Sequence, residues 1–448
     1  MTTRTCLAII LAAGEGTRMK SALPKVMHKV GGDPMLGHVI RAARSAGAER
    51  LALVVGPGAA AVEAFAAAAA PEASIHVQAE RRGTAHAVRA AEAAFAPAPD
   101  DVLVLYGDTP LVTAGTLRRL RERLADADLV VLGFTPDDPG AYGRLLMEGA
   151  QLTAIREVRD AAPEELKVRL CNAGVMAFRG SLLPALASIG NRNAKGEYYL
   201  TDLVAIANDA GRAVAVIETD ADEVVGINDR IELAAAEALF QRAARRKAMA
   251  GGATLVAPET VLFSFDTEIG RDVTVEPNVV FGTGVGVADG VTVKAFSHLE
   301  GAKVAAGAVV GPFSRLRPGA TIGEGAHVGN FVEVKNAAID AGAKANHLAY
   351  IGDAHVGAGA NIGAGAITCN YDGVFKHRTE IGAGAFIGSN SALVAPVVIG
   401  EGAYVGTGSV ISQDVAPGDL AIARARQVNK PGYGAKLKTA KLAMKKGA

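Results

Sequence analysis

The sequence has no tryptophan, only three cysteines and no net charge, and each shortage narrows what the chain can be. Cys6, Cys171 and Cys369 are odd in number and widely spaced, which indicates neither a disulfide framework nor a zinc site. The 46 basic residues balance 46 acidic ones, whereas a general nucleic-acid binder carries a basic excess, so no nucleic-acid partner is expected. One local exception is the run Lys436, Lys438, Lys441, Lys445 and Lys446, read as a solvated end or as a contact for a phosphate ligand or acidic lipid. No stretch approaches the about 18 uninterrupted apolar residues of a spanning helix, so no integral membrane segment is expected. Segment 5–13 is too short for a signal sequence and leads into a Gly-rich motif, so a cytoplasmic location is expected. Aromatics are scarce while Gly numbers 53, a balance that suits turns and coils.

What is present in quantity is a six-residue period. Apolar residues recur at Ile269, Val275, Phe281, Val287, Val293 and Leu299, then at Val304, Val310, Leu316, Ile322, Val328 and Val334. They return at Ile381, Ile387, Leu393, Ile399, Val405 and Ile411. Gly often follows, as at Gly270, Gly282, Gly323, Gly329, Gly382, Gly388 and Gly400. This spacing fits neither a helix nor one long strand. It predicts a parallel β-helix, each short strand turning one aliphatic side chain inward and Gly opening the corner. Three strands close a coil, and coils stack at roughly 4.8 Å.

A chain of 448 residues should hold two or more domains. Residues 1–228 alternate candidate strands (Cys6–Leu11, Leu51–Val55, Val102–Tyr106, Leu129–Phe134, Val214–Ile217) with candidate helices (Pro34–Ala46, Ala59–Ala69, Gly83–Ala96, Thr113–Ala125). That alternation predicts a mostly parallel sheet covered on both faces. Residues 229–250 read as one linker helix with a stripe of Ile231, Leu233, Ala234, Leu239 and Ala243, stopped by Gly251–Gly252. The remainder, 251–448, is the solenoid and a tail, with Cys369–Glu380 bulging as a loop and 417–448 lacking the period.

The first strand runs into Leu11-Ala12-Ala13-Gly14-Glu15-Gly16-Thr17-Arg18-Met19, followed by Leu23-Pro24-Lys25. Gly-rich backbone at the end of a strand can approach phosphates closely, and Arg18 and Lys25 add two cations beside it. The motif is neither a Rossmann fingerprint nor a P-loop. With Gln78-Ala79-Glu80, Gly83-Thr84, Tyr106-Gly107-Asp108, Tyr142-Gly143-Arg144, Glu157, Asn172-Ala173-Gly174, Glu197-Tyr198-Tyr199 and Gly226-Ile227-Asn228, it resembles the sugar-nucleotide pyrophosphorylases. Order and spacing resemble one family in particular, which joins an N-acetylglucosamine-1-phosphate uridylyltransferase to a glucosamine-1-phosphate acetyltransferase. The resemblance covers nearly the whole chain. It implies an α/β Rossmann-like nucleotidyltransferase domain followed by a left-handed parallel β-helix, acting as a homotrimer with UTP and acetyl-coenzyme A as co-substrates.

By this resemblance Leu11, Ala12, Gly14, Gly16, Tyr106 and Gly107 bind UTP or its product, and Arg18 and Lys25 are catalytic, stabilising the triphosphate and the pentavalent transition state. Asp108 and Asn228 hold Mg²⁺; Gln78, Gly83 and Thr84 read the uracil, with Gln78 able to donate and accept; Gly143, Glu157, Asn172 and Tyr199 line the sugar pocket. Each residue also has a plainer reading: Asp108 as a helix cap, Asn228 as a turn residue, Glu157 as a solvated charge, and Cys171 as a small buried hydrophobe.

In the solenoid, residues that depart from the repeat carry the chemistry. Intervals 317 to 335 and 335 to 353 read as one coil each, which stacks Arg317 and Lys335 into a cationic ladder suited to a sugar phosphate. Thioester attack needs a neutral amine, hence a base near neutral pKa, and His suits that. His347 is the expected base, with Glu333 a candidate to orient it and a structural histidine the alternative. The resemblance assigns Arg317, Lys335, Tyr350, Asn361 and Lys376 to the acceptor sugar phosphate. It assigns Ala364, Asn370, Tyr371, Ser389, Thr407 and Arg424 to acetyl-coenzyme A, with Asn370 and Tyr371 also closing over the sugar. Two rivals stay open at this point: a monofunctional nucleotidyltransferase whose solenoid only assembles trimers, and a non-catalytic scaffold of the eukaryotic exchange-factor type.

Overall fold

The structure is a computed structural model describing residues 4–446. The expected domain limits at 1 and 448 lie outside the described residues, as does the Lys446 side chain. The chain divides into two compact units, up to Ala244 and from Arg245 onward.

The first unit is built on strands β1 (Cys6–Ala12), β2 (Arg50–Val55), β3 (Ser74–Val77), β4 (Asp101–Tyr106), β5 (Leu129–Phe134), β6 (Arg144–Glu148), β7 (Gln151–Arg156), β8 (Cys171–Arg179) and β9 (Val214–Glu218). The sheet order is β9-β5-β8-β4-β1-β2-β3, with β6 and β7 as a hairpin joined through β8. All pairs on the main path are parallel except those of β8, which runs antiparallel to β4 and β5. Successive side chains of β1 enter opposite cores: Cys6, Ala8 and Ile10 face one, Leu7 and Ile9 the other. Helices α1 (Met35–Ser45), α2 (Ala60–Ala69) and α4 (Ala114–Arg123) cover the first core; α3 (Thr84–Ala90) and α5 (Leu203–Asp209) cover the second. The expected helix over 83–96 is broken, α3 giving way to a 3₁₀ turn at Glu92–Phe95.

Helix α6 (Arg230–Ala250) ends at the glycine pair, where Gly252 takes φ +100°. Its packed stripe differs from the expected one. Leu233, Ala236 and Phe240 meet Val30, Met35 and Ile227, whereas Ile231 is 82% exposed.

The solenoid has three parallel ladders of short strands. One carries Thr292, Val309, His327, Lys344, Asn361, Phe386 and Tyr404 at equivalent positions. A second carries His298, Arg315, Glu333, Tyr350 and Ile367; a third carries Lys303, Thr321, Ala338, His355 and Glu380. The large inward residue of a strand is accompanied two positions earlier by a second buried residue, a valine as at Val291 before Val293 or an alanine as at Ala320 before Ile322 and Ala326 before Val328. The repeat also continues through the central coils up to the 369–380 loop, with Ala345 and Thr368 replacing the branched aliphatic; buried Thr368 directs its hydroxyl to the Gly352 carbonyl at 3.0 Å.

Three expectations about the solenoid are corrected. The glycines named after inward residues, from Gly270 to Gly400, do not open corners by positive φ, which belongs instead to Gly284, Gly290, Gly325 and their equivalents. Gly323 and Gly388 serve close approach: a Cβ there would stand 2.6 Å and 2.5 Å from main-chain nitrogens of the next coil. Lys335 pairs in register with Gly352, not Asp353, because the coil from Glu333 to Tyr350 has one residue fewer than the coil from Arg315 to Glu333. Finally, 417–448 is not wholly irregular: Leu420–Ala421 adds a last rung and Tyr433–Lys446 forms helix α7, whose described side chains are exposed.

Candidate functional site

In the first unit, the ends of β1 and β4 bring the Gly-rich segment beside Asp108. Gly107 N–H donates to Leu11 O at 2.9 Å, locking the two strand ends together. Gly16 has φ +63°, and a Cβ there would meet Lys25 Cβ at 2.5 Å, so a side chain would push out the lysine. Lys25 Nζ donates to Asp108 Oδ2 and, at 3.2 Å, to Asn228 Oδ1. Ile227 N–H binds Asp108 O, which carries Asn228 to this point from the far end of the unit. Arg18 is exposed on a recess of about 300 Å³ shared with Gly16, Lys25 and Asn228.

A neighbouring cleft of about 310 Å³ is lined by Leu11, Ala12, Gly14, Lys25, Gln78, Gly83, Thr84, Tyr106 and Asp108. Gly83 takes φ +111°, and a Cβ would strike the Tyr198 backbone at 2.4 Å. Thr84 Oγ1 accepts from Leu200 N–H at 2.9 Å. Burial raises the Tyr106 hydroxyl pKa, with Asp108 and Glu157 adding to the rise.

The four expected sugar-pocket residues gather next to this cleft. Asn172 N–H donates to Gly143 O at 2.8 Å, and Glu157 lies over Gly143. Burial raises the Glu157 pKa against the pull of Lys195. Burial also pushes the Tyr199 hydroxyl up to about 12. That hydroxyl is buried without a hydrogen-bond partner among the described residues, a state a bound polar ligand would relieve. Arg81, which sequence reasoning missed, lines both recesses and ties the Gly-rich loop by donating to Ala13 O at 2.7 Å and to Glu15. Its proximity to the Gln78-Ala79-Glu80 segment was the available signal.

In the second unit the expected residues fall on separate edges of the coil. His347 Nδ1 lies 2.8 Å from Asn330 Oδ1, its register partner. Glu333 does not orient it: that carboxylate pairs with Arg317 at 2.7 Å and Arg315 at 4.0 Å, because it starts a strand on the next face. The ladder that pairs Asn330 with His347 continues through Ala364, Ser389 and Thr407, since Lys344, Asn361, Phe386 and Tyr404, three residues before each, are in register. Arg424 donates to Thr407 O at 2.8 Å at the end of this column.

The opposite edge of that face holds Lys335, 3.8 Å from Asp353, and Asn370, whose amide also donates to Asp353. Asn370 therefore joins the cationic edge and has no described contact with the Ala364–Thr407 column, although it was expected both to serve acetyl-coenzyme A and to close over the sugar. Asp353 was not nominated because its partners Lys335 and Asn370 lie a coil away in sequence and meet it only in the folded stack. Burial opposes its ionisation but is outweighed by Asn336, Asn370, Lys335 and Lys376, which hold its pKa below the usual carboxylate value. Lys335 in turn lowers the Lys376 pKa, two ammonium groups facing one another. Tyr350 folds over Gly352, and Tyr371 is exposed, its hydroxyl bonded to Gly373 O in its own loop. Asn361 stands on the first ladder between Lys344 and Phe386, and no described contact joins it to Lys335.

A MobA-like NTP transferase domain matches residues 8–206, and the bacterial transferase hexapeptide model of six repeats matches 301–336 and 378–413. The bifunctional protein GlmU of Azorhizobium caulinodans is 60% identical over 443 residues, covering 98% of this chain and 99% of the relative. That of Xanthobacter autotrophicus is 58% identical with the same coverage, and that of Paramagnetospirillum magneticum 55% identical over 98% and 97%. The chain belongs to the bifunctional GlmU family. The two separate polar constellations suit a GlmU protein, and the two matched domain types fall one in each unit.

Proposed function

We infer that the chain makes UDP-N-acetylglucosamine in two steps. The solenoid transfers acetyl from acetyl-coenzyme A to glucosamine 1-phosphate; the first unit then transfers UMP from UTP to N-acetylglucosamine 1-phosphate and releases pyrophosphate. The observation that carries this reading is near end-to-end likeness to bifunctional relatives, with a distinct polar site in each unit. The product supplies peptidoglycan and related envelope glycans. The functional division proposed is 1–228 for uridylyl transfer, 229–250 as linker and 251–448 for acetyl transfer, in a cytoplasmic protein. Among the described residues no helix is long and apolar enough to cross a membrane.

In uridylyl transfer a sugar-phosphate oxygen attacks the α-phosphorus as the bond to pyrophosphate breaks. Charge is spread over phosphate oxygens, so cations and oriented donors matter more than a proton acceptor. Arg18 and Lys25 supply the cations, and the Gly14–Gly16 backbone leaves room for the phosphates. Asp108 and Asn228 offer one carboxylate and one amide oxygen, both already touching the Lys25 ammonium, so the spot favours a cation. Mg²⁺ suits this donor set because it binds one or two protein oxygens and keeps water or phosphate in its other positions; bound there, it neutralises phosphate charge. Glu157, Asn172 and Tyr199 hold the sugar.

In acetyl transfer, Asn330 accepts from His347 Nδ1–H, leaving the Nε2 lone pair to take a proton from the substrate ammonium. The amine nitrogen bonds to the thioester carbonyl, and the C–S bond breaks to release coenzyme A. Arg317, Lys335 and Lys376 hold the sugar phosphate, while Ala364, Ser389, Thr407 and Arg424 seat acetyl-coenzyme A.

A trimer completes this second site. Two observations support it. First, Asn361 and the Lys335 edge lie on different ladders of one coil stack with no described contact between them, an arrangement that suits a sugar site shared with a second copy. Second, Phe296, Phe313, Phe331 and Leu348 form a column beside Asn330 and His347, 46% to 60% exposed and all at positive φ. Bulky side chains at such φ are strained, and the three rings stack at 5.0 Å and 5.2 Å. An apolar column of this kind suits burial against another copy.

Incubation with glucosamine 1-phosphate, acetyl-coenzyme A, UTP and Mg²⁺ should yield UDP-N-acetylglucosamine, pyrophosphate and free coenzyme A. Coenzyme A release without nucleotide sugar, or the reverse, would restrict the chain to one activity.

A further inference from the structure

Gln78 is 4% exposed, at the end of β3, and lines the cleft assigned to the nucleotide. Its amide nitrogen has two partners behind it. Nε2 donates to the Gly83 carbonyl at 3.1 Å and faces His86 Nδ1 at 3.2 Å. A carbonyl oxygen only accepts, so the atom facing Gly83 is the NH₂ group and the amide has one orientation. The second N–H then requires an unprotonated Nδ1, placing the neutral His86 proton on Nε2. Both Gln78 donors are used inside the protein. No described residue donates to Oε1, the one atom of the amide left for the cleft. The sequence expectation that Gln78 both donates and accepts at the base is corrected accordingly.

We propose that His86 is a positioning residue for nucleotide selection: with Gly83 O it fixes the Gln78 amide so that a carbonyl oxygen alone meets the base. This deepens the reading of Gln78 as the uracil contact and rests on it. A fixed acceptor matches a pyrimidine with N–H at its 3-position, as in uracil. Cytosine presents a lone pair there, and two acceptors would face one another in a buried setting. The ring of His86 is itself held: it lies 6.4 Å from the Tyr198 ring, tilted 33°, and the Arg82 guanidinium sits 5.1 Å from the same tyrosine centroid. Thr84 and Ala85, bound to the Leu200 and Tyr198 backbone, anchor the start of α3 that carries His86.

The test compares UTP with CTP in the uridylyl half-reaction of the full chain, using two polar substitutions that differ only in where an acceptor can sit. His86→Asn places an amide oxygen near the Nδ1 position, whereas His86→Gln reaches toward Nε2 and leaves the Gln78 N–H unpaired. His86→Gln should raise KM for UTP and lower the UTP/CTP ratio of kcat/KM by about 10- to 100-fold, the scale of leaving one buried polar group unsatisfied, with kcat falling far less. His86→Asn should keep the ratio within a few-fold of wild type. A kcat for UTP close to wild type reports that the first unit is intact. Gln78→Ala separates the two layers of the argument. If it leaves the UTP/CTP ratio unchanged, Gln78 does not read the base and the underlying reading fails. If it collapses the ratio while His86→Gln and His86→Asn both match wild type, the role of His86 is overturned and Gln78 keeps its own. Equal loss in both His86 variants also overturns the proposal, because acceptor placement would then be irrelevant.

Discussion

Asn330 Oδ1 stands 2.8 Å from Nδ1 of His347, one coil away and at the same register position. The contact selects the tautomer with a proton on Nδ1 and an open Nε2. Asn330→Ala should therefore lower acetyl-transfer kcat by about 10- to 100-fold, the worth of leaving a polar partner unmatched, with little change in KM for glucosamine 1-phosphate. Steady-state kinetics would check it; a purely KM effect would place Asn330 in substrate binding instead.

Asp108→Ala removes the one carboxylate from the Lys25–Asn228 cluster. Uridylyl transfer should drop at least roughly 10²-fold, as for loss of a key electrostatic stabiliser, and no added Mg²⁺ should restore it fully. Acetyl transfer should stay near wild type. Near-normal nucleotide-sugar formation would remove Asp108 from the metal site.

Phe313 lies between Phe296 and Phe331 in the exposed ring stack. Phe313→Asp should reduce the mass measured by light scattering from trimer to smaller species. Acetyl transfer should fall with it while uridylyl transfer survives. A trimer that persists undiminished would put the assembly surface elsewhere.

The Asp353 carboxylate is held below its ordinary pKa of 3.8, chiefly by Asn336, Asn370 and Lys335 acting against burial. A depressed carboxylate contributes stability above its unfolded pKa and loses it as pH falls through the folded value. Thermal unfolding of the solenoid should therefore occur at lower temperature in Asp353→Asn than in wild type at pH 7. The gap should narrow as pH drops below about 4. A gap independent of pH would mean that shape, not charge, makes Asp353 matter.

Much of this was legible in residue order. The hexapeptide period exposed the inward positions from Val275 to Val334, because branched aliphatics and Phe281 fill them and all are buried. It went quiet where Ala345 and Thr368 take the same place, so continuity of the central coils shows only in the fold. Strand β3 was invisible because Ser74 to Val77 is a short edge strand with little burial, and β8 because Asn172 and Gly174 interrupt its apolar pattern. Site residues within contiguous motifs were easy to nominate, but partners across coils were not. A one-residue change in coil length sets Lys335 opposite Gly352, and it takes register, not proximity in sequence, to see that Asn330 rather than Glu333 meets His347.

The most direct test of the two-site account is a paired assay on one purified His347→Ala sample that remains trimeric. Acetyl transfer should fall by about 10²- to 10⁴-fold, the usual worth of a positioned general base. Uridylyl transfer to supplied N-acetylglucosamine 1-phosphate should remain close to wild type, since its residues lie in the other unit. Acetyl transfer surviving within a few-fold, or both activities falling together, would contradict the account.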